Sequence, residues 1–341
     1  MAGSPHALVD LLRSWPAPPE APAPEGAAAA EFVRAAVRHG LAGFVAHVVG
    51  QAGWELPAEA SALLRRESLT GAARSLQVKA LLLRSLDVLA SERVVPVLLK
   101  GYGLARRLYP DPLQRATRDV DLLVSRRDVP IATRALSGLG LSVRPSRDGR
   151  HAEADSHHVE LEGPAGLVEL HFRALAGWGQ ALEGDALVER AVVGELEGRR
   201  VKWLRPEDEA VYLALHASNH LLQRMAWLFD LKLLAGHALD WTRVVEAARG
   251  TELPQLAWYA WDAARRRLGA AVPDSVLSAL EPPPWQRILA ERFFTEPRLV
   301  DAELLHSKPA WVAAKLLLAP RPAAMARYAL RRLETAARRL R

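Results

Sequence analysis

The sequence predicts an α+β protein, with a mixed-sheet core over residues 91–205 flanked by N-terminal helices (1–90) and a C-terminal helical region (206–341). Three observations predict it. Helical spacing of apolar residues over 57–93, including Leu63, Leu64, Val78, Leu81, Leu82, Leu86 and Leu89, gives way abruptly to the β-branched run Val94-Val95-Pro96-Val97-Leu98-Leu99. Short apolar runs then alternate with turn residues as far as about 204. From Pro206 the spacing is helical nearly to the end of the chain.

Taken in order, residues 5–15 form a short apolar-periodic stretch, and five prolines between 16 and 30 predict an extended connector. Helical periodicity follows over 28–51, then over 57–93. The run ending at Leu99 meets Lys100-Gly101, the punctuation of a strand turning into a helix, here 102–109. A Pro/Asp/Pro loop leads to a second strand, 119–124. Asp128 is the expected cap of a helix that runs to Leu139 and ends at Gly140. Strands are then expected at 141–144, 157–162 and 167–172, with a hairpin over 192–204 broken at Gly198. Pro206, followed by Glu207, Asp208 and Glu209, marks a helix start, because acids in the first turn meet the positive end of the helix dipole.

Composition narrows the function classes. The 341 residues carry 45 Lys+Arg against 39 Asp+Glu and no cysteine. A disulfide framework, a thiolate metal site and a cysteine nucleophile are therefore excluded together. No stretch of about 18 uninterrupted apolar residues exists, so no transmembrane helix is expected. The N-terminus has no signal-peptide pattern, which makes the cytoplasm the expected location. The net charge of +6 is not spread along the chain. Residues 321–341 hold seven arginines and one acid, Glu334, leaving a body with 38 basic and 38 acidic groups. That basic tail could meet nucleic acid, an anionic surface or a partner protein; the neutral body argues against nucleic-acid binding elsewhere.

The chemistry concentrates at Asp119-Val120-Asp121. On a strand, residues i and i+2 share a face, so both carboxylates leave one side while Val120 and Leu122 enter the other. Two neighbouring acids at a cleft suit a hard cation, and Mg²⁺ is usually held by one or two carboxylates plus substrate phosphates. The turn Lys100-Gly101-Tyr102-Gly103 offers a point charge and glycines that let a phosphate approach the backbone. Glu169 supplies a third acid from the alternating run Val168-Glu169-Leu170-His171. Three converging acids suit two-metal phosphoryl chemistry.

The ordered series Leu99-Lys100-Gly101, Leu108-Tyr109-Pro110, Arg115-x-x-x-Asp119-Val120-Asp121-Leu122-Leu123-Val124, His157-His158 and Val168-Glu169-Leu170-His171 resembles the bacterial uncharacterised nucleotidyltransferase family. That family belongs to the superfamily of DNA polymerase beta and kanamycin nucleotidyltransferase. The resemblance spans about 85–250 and takes in His216-x-x-x-His220, Arg224, Trp227-Leu228-x-Asp230-Leu231 and Asp240-Trp241. It implies a nucleotidyltransferase fold and Mg²⁺-dependent transfer of a nucleoside monophosphate, with AMP from ATP as the expected case, to a hydroxyl or similar group of a small molecule, peptide or protein. It also implies Asp119, Asp121 and Glu169 as ligands of two Mg²⁺ ions, and Lys100, Gly101 and Tyr102 at the triphosphate turn. The turn departs from the superfamily, which usually carries Gly-Ser where this chain has Gly101-Tyr102. A non-catalytic nucleotide- or partner-binding member of the same fold is the alternative, as is a binder of anionic surfaces through the tail.

Further residues have two readings each. Arg115 is a phosphate contact or a solvated loop arginine. His216 and His220, four apart, share a helix face and either pack or line an acceptor pocket; Ala217 stands where a zinc-protease helix needs Glu. Asp230 either orients an arginine or histidine or is a surface acid. His157 and His158 should alternate faces, so that at most one reaches the cleft. His171 lies within reach of a metal or a proton transfer.

Overall fold

A computed structural model of the chain describes residues 6–144, 157–177, 180–251 and 253–319, and positions 323, 326 and 330. Most of the arginine-rich tail lies outside the described residues. The chain opens with helices α1 (Ala7–Ser14), α2 (Gly26–Arg38), α3 (Ala42–Gln51) and the long α4 (Ala58–Ser91). The helical pattern expected over 28–51 is two helices, because the backbone at Gly40 turns left-handed (φ 73°) between them, a region an L side chain enters only at a cost. The expected connector is also shorter, since α2 already begins at Gly26.

The central part runs β1 (Val97–Leu98), α5 (Tyr102–Leu108), β2 (Val120–Leu123), α6 (Val129–Ser137), β3 (Ser142–Val143), β4 (His158–Gly163) and β5 (Gly166–His171). It continues with β6 (Arg173–Gly177), β7 (Gln180–Glu183), α7 (Gly184–Arg190), β8 (Val192–Leu196) and β9 (Arg199–Trp203). Among the described residues seven strands form one mixed sheet in the order β3-β4-β5-β2-β1-β9-β8. The β6–β7 hairpin pairs separately and, like α7, was not expected from sequence. A single 3-10 turn, Arg126–Asp128, precedes α6, and Asp128 stands at the cap position without a side-chain capping bond.

The remaining helices are α8 (Pro206–Asn219), α9 (Met225–Ala235), α10 (Trp241–Gly250), α11 (Pro254–Leu268), α12 (Asp274–Leu280), α13 (Pro284–Phe293), α14 (Glu296–Val300) and α15 (Lys308–Leu317). No helix is long and apolar enough to cross a membrane among the described residues. The start of α8 is fastened as well as dipole-matched: Asp208 accepts two hydrogen bonds of 2.7 Å from Arg190, and Glu209 pairs with Arg107 of α5.

Strand alternation divides the interior. Val120, Leu122, Val168 and Leu170 enter a core closed by Val78, Leu81, Leu82 and Leu86 of α4 and Ala132 and Leu136 of α6. Val97, Leu99 and Leu123 face the opposite way, into a larger core shared by Leu8, Phe32, Phe44, Phe229 and Trp261 of the N- and C-terminal helices. The period of two thus places Asp121, between Val120 and Leu122, on the side of the C-terminal helices.

His39 bolts the two helical ends together. Its Nδ1 accepts from the Met225 amide (3.2 Å) and its Nε2 donates to the Val300 carbonyl (2.7 Å), joining the end of α2 to the start of α9 and the end of α14. Burial pulls its pKa down to about 4. The folded state therefore binds a proton less readily than the unfolded chain. The stabilisation is complete above about 6.5 and is lost as pH falls towards 4, a share of up to about 3 kcal/mol. Urea unfolding of His39→Leu is expected to show a loss of about 2 kcal/mol at pH 7. Its decline in stability between pH 6.5 and 4 should also be shallower than that of wild type.

Candidate active site

β2 and β5 pair in parallel, with Asp121 beside Glu169 and Leu123 beside His171. β4 runs antiparallel to β5, setting His158 opposite His171 and Glu160 opposite Glu169. Neighbouring positions in register share a face, so the three strands present Asp121, Glu169, His171, His158 and Glu160 together. Asp119 precedes β2 on the same side. Across from this polar face lie the end of α8 and the start of α9. Between them is a cleft of about 570 Å³ lined by Lys100, Gly101, Asp119, Asp121, Glu169 and His171 from the sheet side. Tyr212, His216, His220, Arg224 and Trp227 line it from the helices.

Asp121 is the electrostatic centre. Its Oδ1 meets the Lys100 ammonium at 2.9 Å and His171 Nε2 at 3.2 Å, and its Oδ2 is buried with no hydrogen-bond partner among the described residues. Burial alone would raise the pKa of Asp121. Lys100 and His171 outweigh it and hold the carboxyl well below its usual range. Burial would likewise lower the Lys100 pKa, but Asp121, followed by Asp119, keeps the ammonium firmly charged. Asp119 is pushed up to about 6, first by burial and then by the Asp121 charge. Lys100 therefore offsets the charge of Asp121 more fully than that of Asp119. Oxygen donors of that kind, with one carboxylate oxygen unmatched, fit a hard divalent cation.

Among the described residues, Asp121, Glu169 and His171 bring one potential ligand atom each within 4.8 Å of one another. Asp119 lines the cleft but is not a member of that group. Gly101 adopts φ 71°, and a Cβ there would lie 3.3 Å from Thr117 Cγ2 and 3.6 Å from the Asp119 carbonyl. Gly101→Ala is expected to cost about 1–2 kcal/mol and to displace the loop carrying Asp119, read as a drop in the urea midpoint. Tyr102 does not reach the cleft. It is buried against α4, and its hydroxyl donates to Glu197 at 3.1 Å.

Arg115 is not a free phosphate contact. Its Nε and Nη2 grip both oxygens of Asp230 at 2.8–3.1 Å, and Tyr109 donates to the same carboxylate at 2.8 Å. Asp230 thereby takes the orienting role, and the guanidinium charge is matched inside the protein. Ser75 closes the arrangement from α4: its hydroxyl donates to the Arg115 carbonyl and accepts from the Thr117 amide. The loop before Asp119 is thus held at both ends.

The cations that remain are Arg118 and Arg224, which line the cleft and pair with no carboxylate among the described residues. Arg118 adjoins Asp119 in sequence, a signal that sequence reasoning passed over. Arg224 follows Leu221 and Leu222, both left-handed (φ 51° and 57°), a strained corner that aims it at the cleft and over the Trp227 ring. His216, His220 and Trp227 form a ring cluster with centroids 4.9–5.0 Å apart. Burial lowers the pKa of His216 strongly and that of His220 to about 3, so both are neutral. His157 and His158 both line the cleft, contrary to the alternation expected of them. His157 precedes the first residue of β4, so the alternation of the strand does not govern it; its carbonyl accepts from the amides of Phe172 and Arg173, and its ring lies 4.1 Å from that of His158.

The model of one protein family, described as uncharacterised nucleotidyltransferase, matches residues 25–269. The chain belongs to that family. The match extends beyond the 85–250 of the sequence resemblance and contains every cleft residue except Leu305. No curated protein matches the chain. Among solved structures it is similar to an antigenic nucleotidyltransferase-like protein from Paracoccidioides brasiliensis, at 18% identity and a TM-score of 0.36, over 61% of this chain and 94% of that one.

Proposed function

We propose that this nucleotidyltransferase-family chain transfers a nucleoside monophosphate from a nucleoside triphosphate to a hydroxyl or similar group of a small molecule, peptide or protein. The chemistry would be that of the DNA polymerase beta and kanamycin nucleotidyltransferase superfamily, with AMP from ATP as the first case to test. One observation carries the reading: a single cleft sets three carboxylates, Asp119, Asp121 and Glu169, against Lys100 and two arginines, Arg118 and Arg224, that form no ion pair among the described residues. A polyphosphate needs such cations, and its reacting centre needs the acids.

Mg²⁺ held by Asp119, Asp121 and Glu169 would supply Lewis-acid activation of the acceptor and neutralise the departing pyrophosphate. The protein groups do the rest. Lys100 and the Gly101 turn steady the phosphates, while Arg118 and Arg224 balance their charge. The acceptor oxygen attacks the α-phosphorus and the bond to the β-phosphate oxygen breaks. The acceptor proton passes to the Glu169 carboxylate. His216, His220 and Trp227 offer uncharged rings against which a base or an acceptor packs.

The test is a pair of labelling experiments with Mg²⁺ and candidate acceptors. Label in the α-phosphate is expected on the acceptor, and label in the γ-phosphate in released pyrophosphate. Transfer of the γ-label instead would make the chain a kinase and overturn the reading.

A further inference from the structure

The cleft holds a second group of potential ligands that the nucleotidyl-transfer reading leaves unused. His157, His158 and His171 bring one ring nitrogen each within 4.8 Å of one another. Their ring centroids are 4.1, 5.0 and 5.5 Å apart, and all three line the cleft. Tetrahedral coordination at about 2.1 Å separates two nitrogens by roughly 3.4 Å, so closure around an ion asks for about 1 Å of side-chain movement.

The surroundings match those of metal-binding imidazoles. A ligating histidine almost always gives its other ring nitrogen to a carboxylate or carbonyl, which fixes the tautomer and raises ligand basicity. His171 Nε2 faces Asp121 Oδ1 at 3.2 Å and Glu169 Oε2 at 3.4 Å. Ionised carboxylates only accept, so Nε2 carries the proton and Nδ1 is the nitrogen left to bind. That Nδ1 is buried and has no hydrogen-bond partner among the described residues. One nitrogen of His158, Nε2, likewise meets a carboxylate, Glu160 Oε1, at 3.3 Å. His157 stands just before β4, where strand alternation does not apply, and its ring joins the other two at the cleft.

We propose that His157, His158 and His171 form a binding site for a borderline transition-metal ion of the Zn²⁺ class, with its open coordination position facing the cleft. Nitrogen donors favour such an ion over Mg²⁺, whereas the neighbouring acids favour Mg²⁺. Because Asp121 offers His171 its Oδ1 and keeps Oδ2 unmatched, the two sites adjoin without competing for one oxygen. Three histidines and an open fourth position are the donor set that lowers the pKa of a bound water to about 7. In this cleft the open position would take a hydroxyl or another lone-pair donor of the acceptor. The site itself stands whether or not the chain transfers nucleotides.

The test uses the full chain, stripped with a chelator and dialysed against Zn²⁺ in a large excess of Mg²⁺, with metal counted by mass spectrometry. One Zn²⁺ per chain is expected. His157→Ala and His158→Gln should each weaken it at least 100-fold, and Asp119→Asn should leave it unchanged. On the unaltered chain, Co²⁺ should give the intense visible absorption of a four-coordinate, nitrogen-rich site, a readout independent of how any variant folds. Zn²⁺ displaced by Mg²⁺, retained by both histidine variants, or absent altogether would overturn the proposal. So would a weak, six-coordinate Co²⁺ spectrum. Loss of nucleotidyl transfer with Zn²⁺ still bound would count against the proposed reaction and not against this site.

Discussion

Asp121→Asn is expected to reduce nucleotidyl transfer at least 10²–10³-fold, the scale of losing a group aimed at the charge of a transition state. The change keeps the side chain's size but removes the charge that holds Lys100 at 2.9 Å and the His171 ring at 3.2 Å. It also alters the buried Oδ2, which has no hydrogen-bond partner among the described residues and lies in the cleft where a divalent cation would sit. Asp119→Asn and Glu169→Gln should give losses of similar size. The three effects should not add, because residues acting as a unit do not. Initial rates of α-label transfer across the three variants and one double variant measure this. Full activity in Asp121→Asn would remove the acids from the mechanism.

The largest effect on stability is expected at Asp230. It is fully buried and holds Arg115 through a two-pronged ion pair and Tyr109 through its hydroxyl. Burial, and then the Asp230 charge, lifts the Tyr109 pKa well above its ordinary value, so that hydroxyl remains a donor. Asp230→Ala leaves a buried guanidinium uncompensated and should cost about 3–5 kcal/mol. Replacing both partners with apolar residues, as in Asp230→Leu with Arg115→Met, should recover much of that loss, since desolvation of both charges is then avoided. Urea unfolding reads both outcomes. A loss under 1 kcal/mol in Asp230→Ala would mean that the pair does not fasten the loop before Asp119.

Much of this fold is legible in the sequence because local patterns and burial agree. Val120 and Leu122 alternate with Asp121, and Val168 and Leu170 with Glu169 and His171. The period of two alone places the acids opposite the apolar residues, as the sheet does. What escaped has physical reasons. Residues 173–183, Arg-Ala-Leu-Ala-Gly-Trp-Gly-Gln-Ala-Leu-Glu, are rich in Ala and Gly and have little strand propensity, so the β6–β7 hairpin is a product of pairing. The parallel contact of β1 with β9 joins segments about 100 residues apart and leaves no local trace. The alternation rule failed at His157 because β4 begins one residue later, at His158, and the rule holds only inside a strand. Arg115 looked like a phosphate contact because its partner, Asp230, lies 115 positions away. Arg118 and Arg224, which lack such a partner, are distinguished by that structural fact and not by their sequence.

Nucleotide binding at the three acids can be measured without an acceptor. Calorimetric titration of a non-hydrolysable ATP analogue into the chain should show binding with Mg²⁺, none with chelator, and none in Asp121→Asn. Binding of equal strength in all three would place the nucleotide elsewhere than on these acids and rule them out as its site.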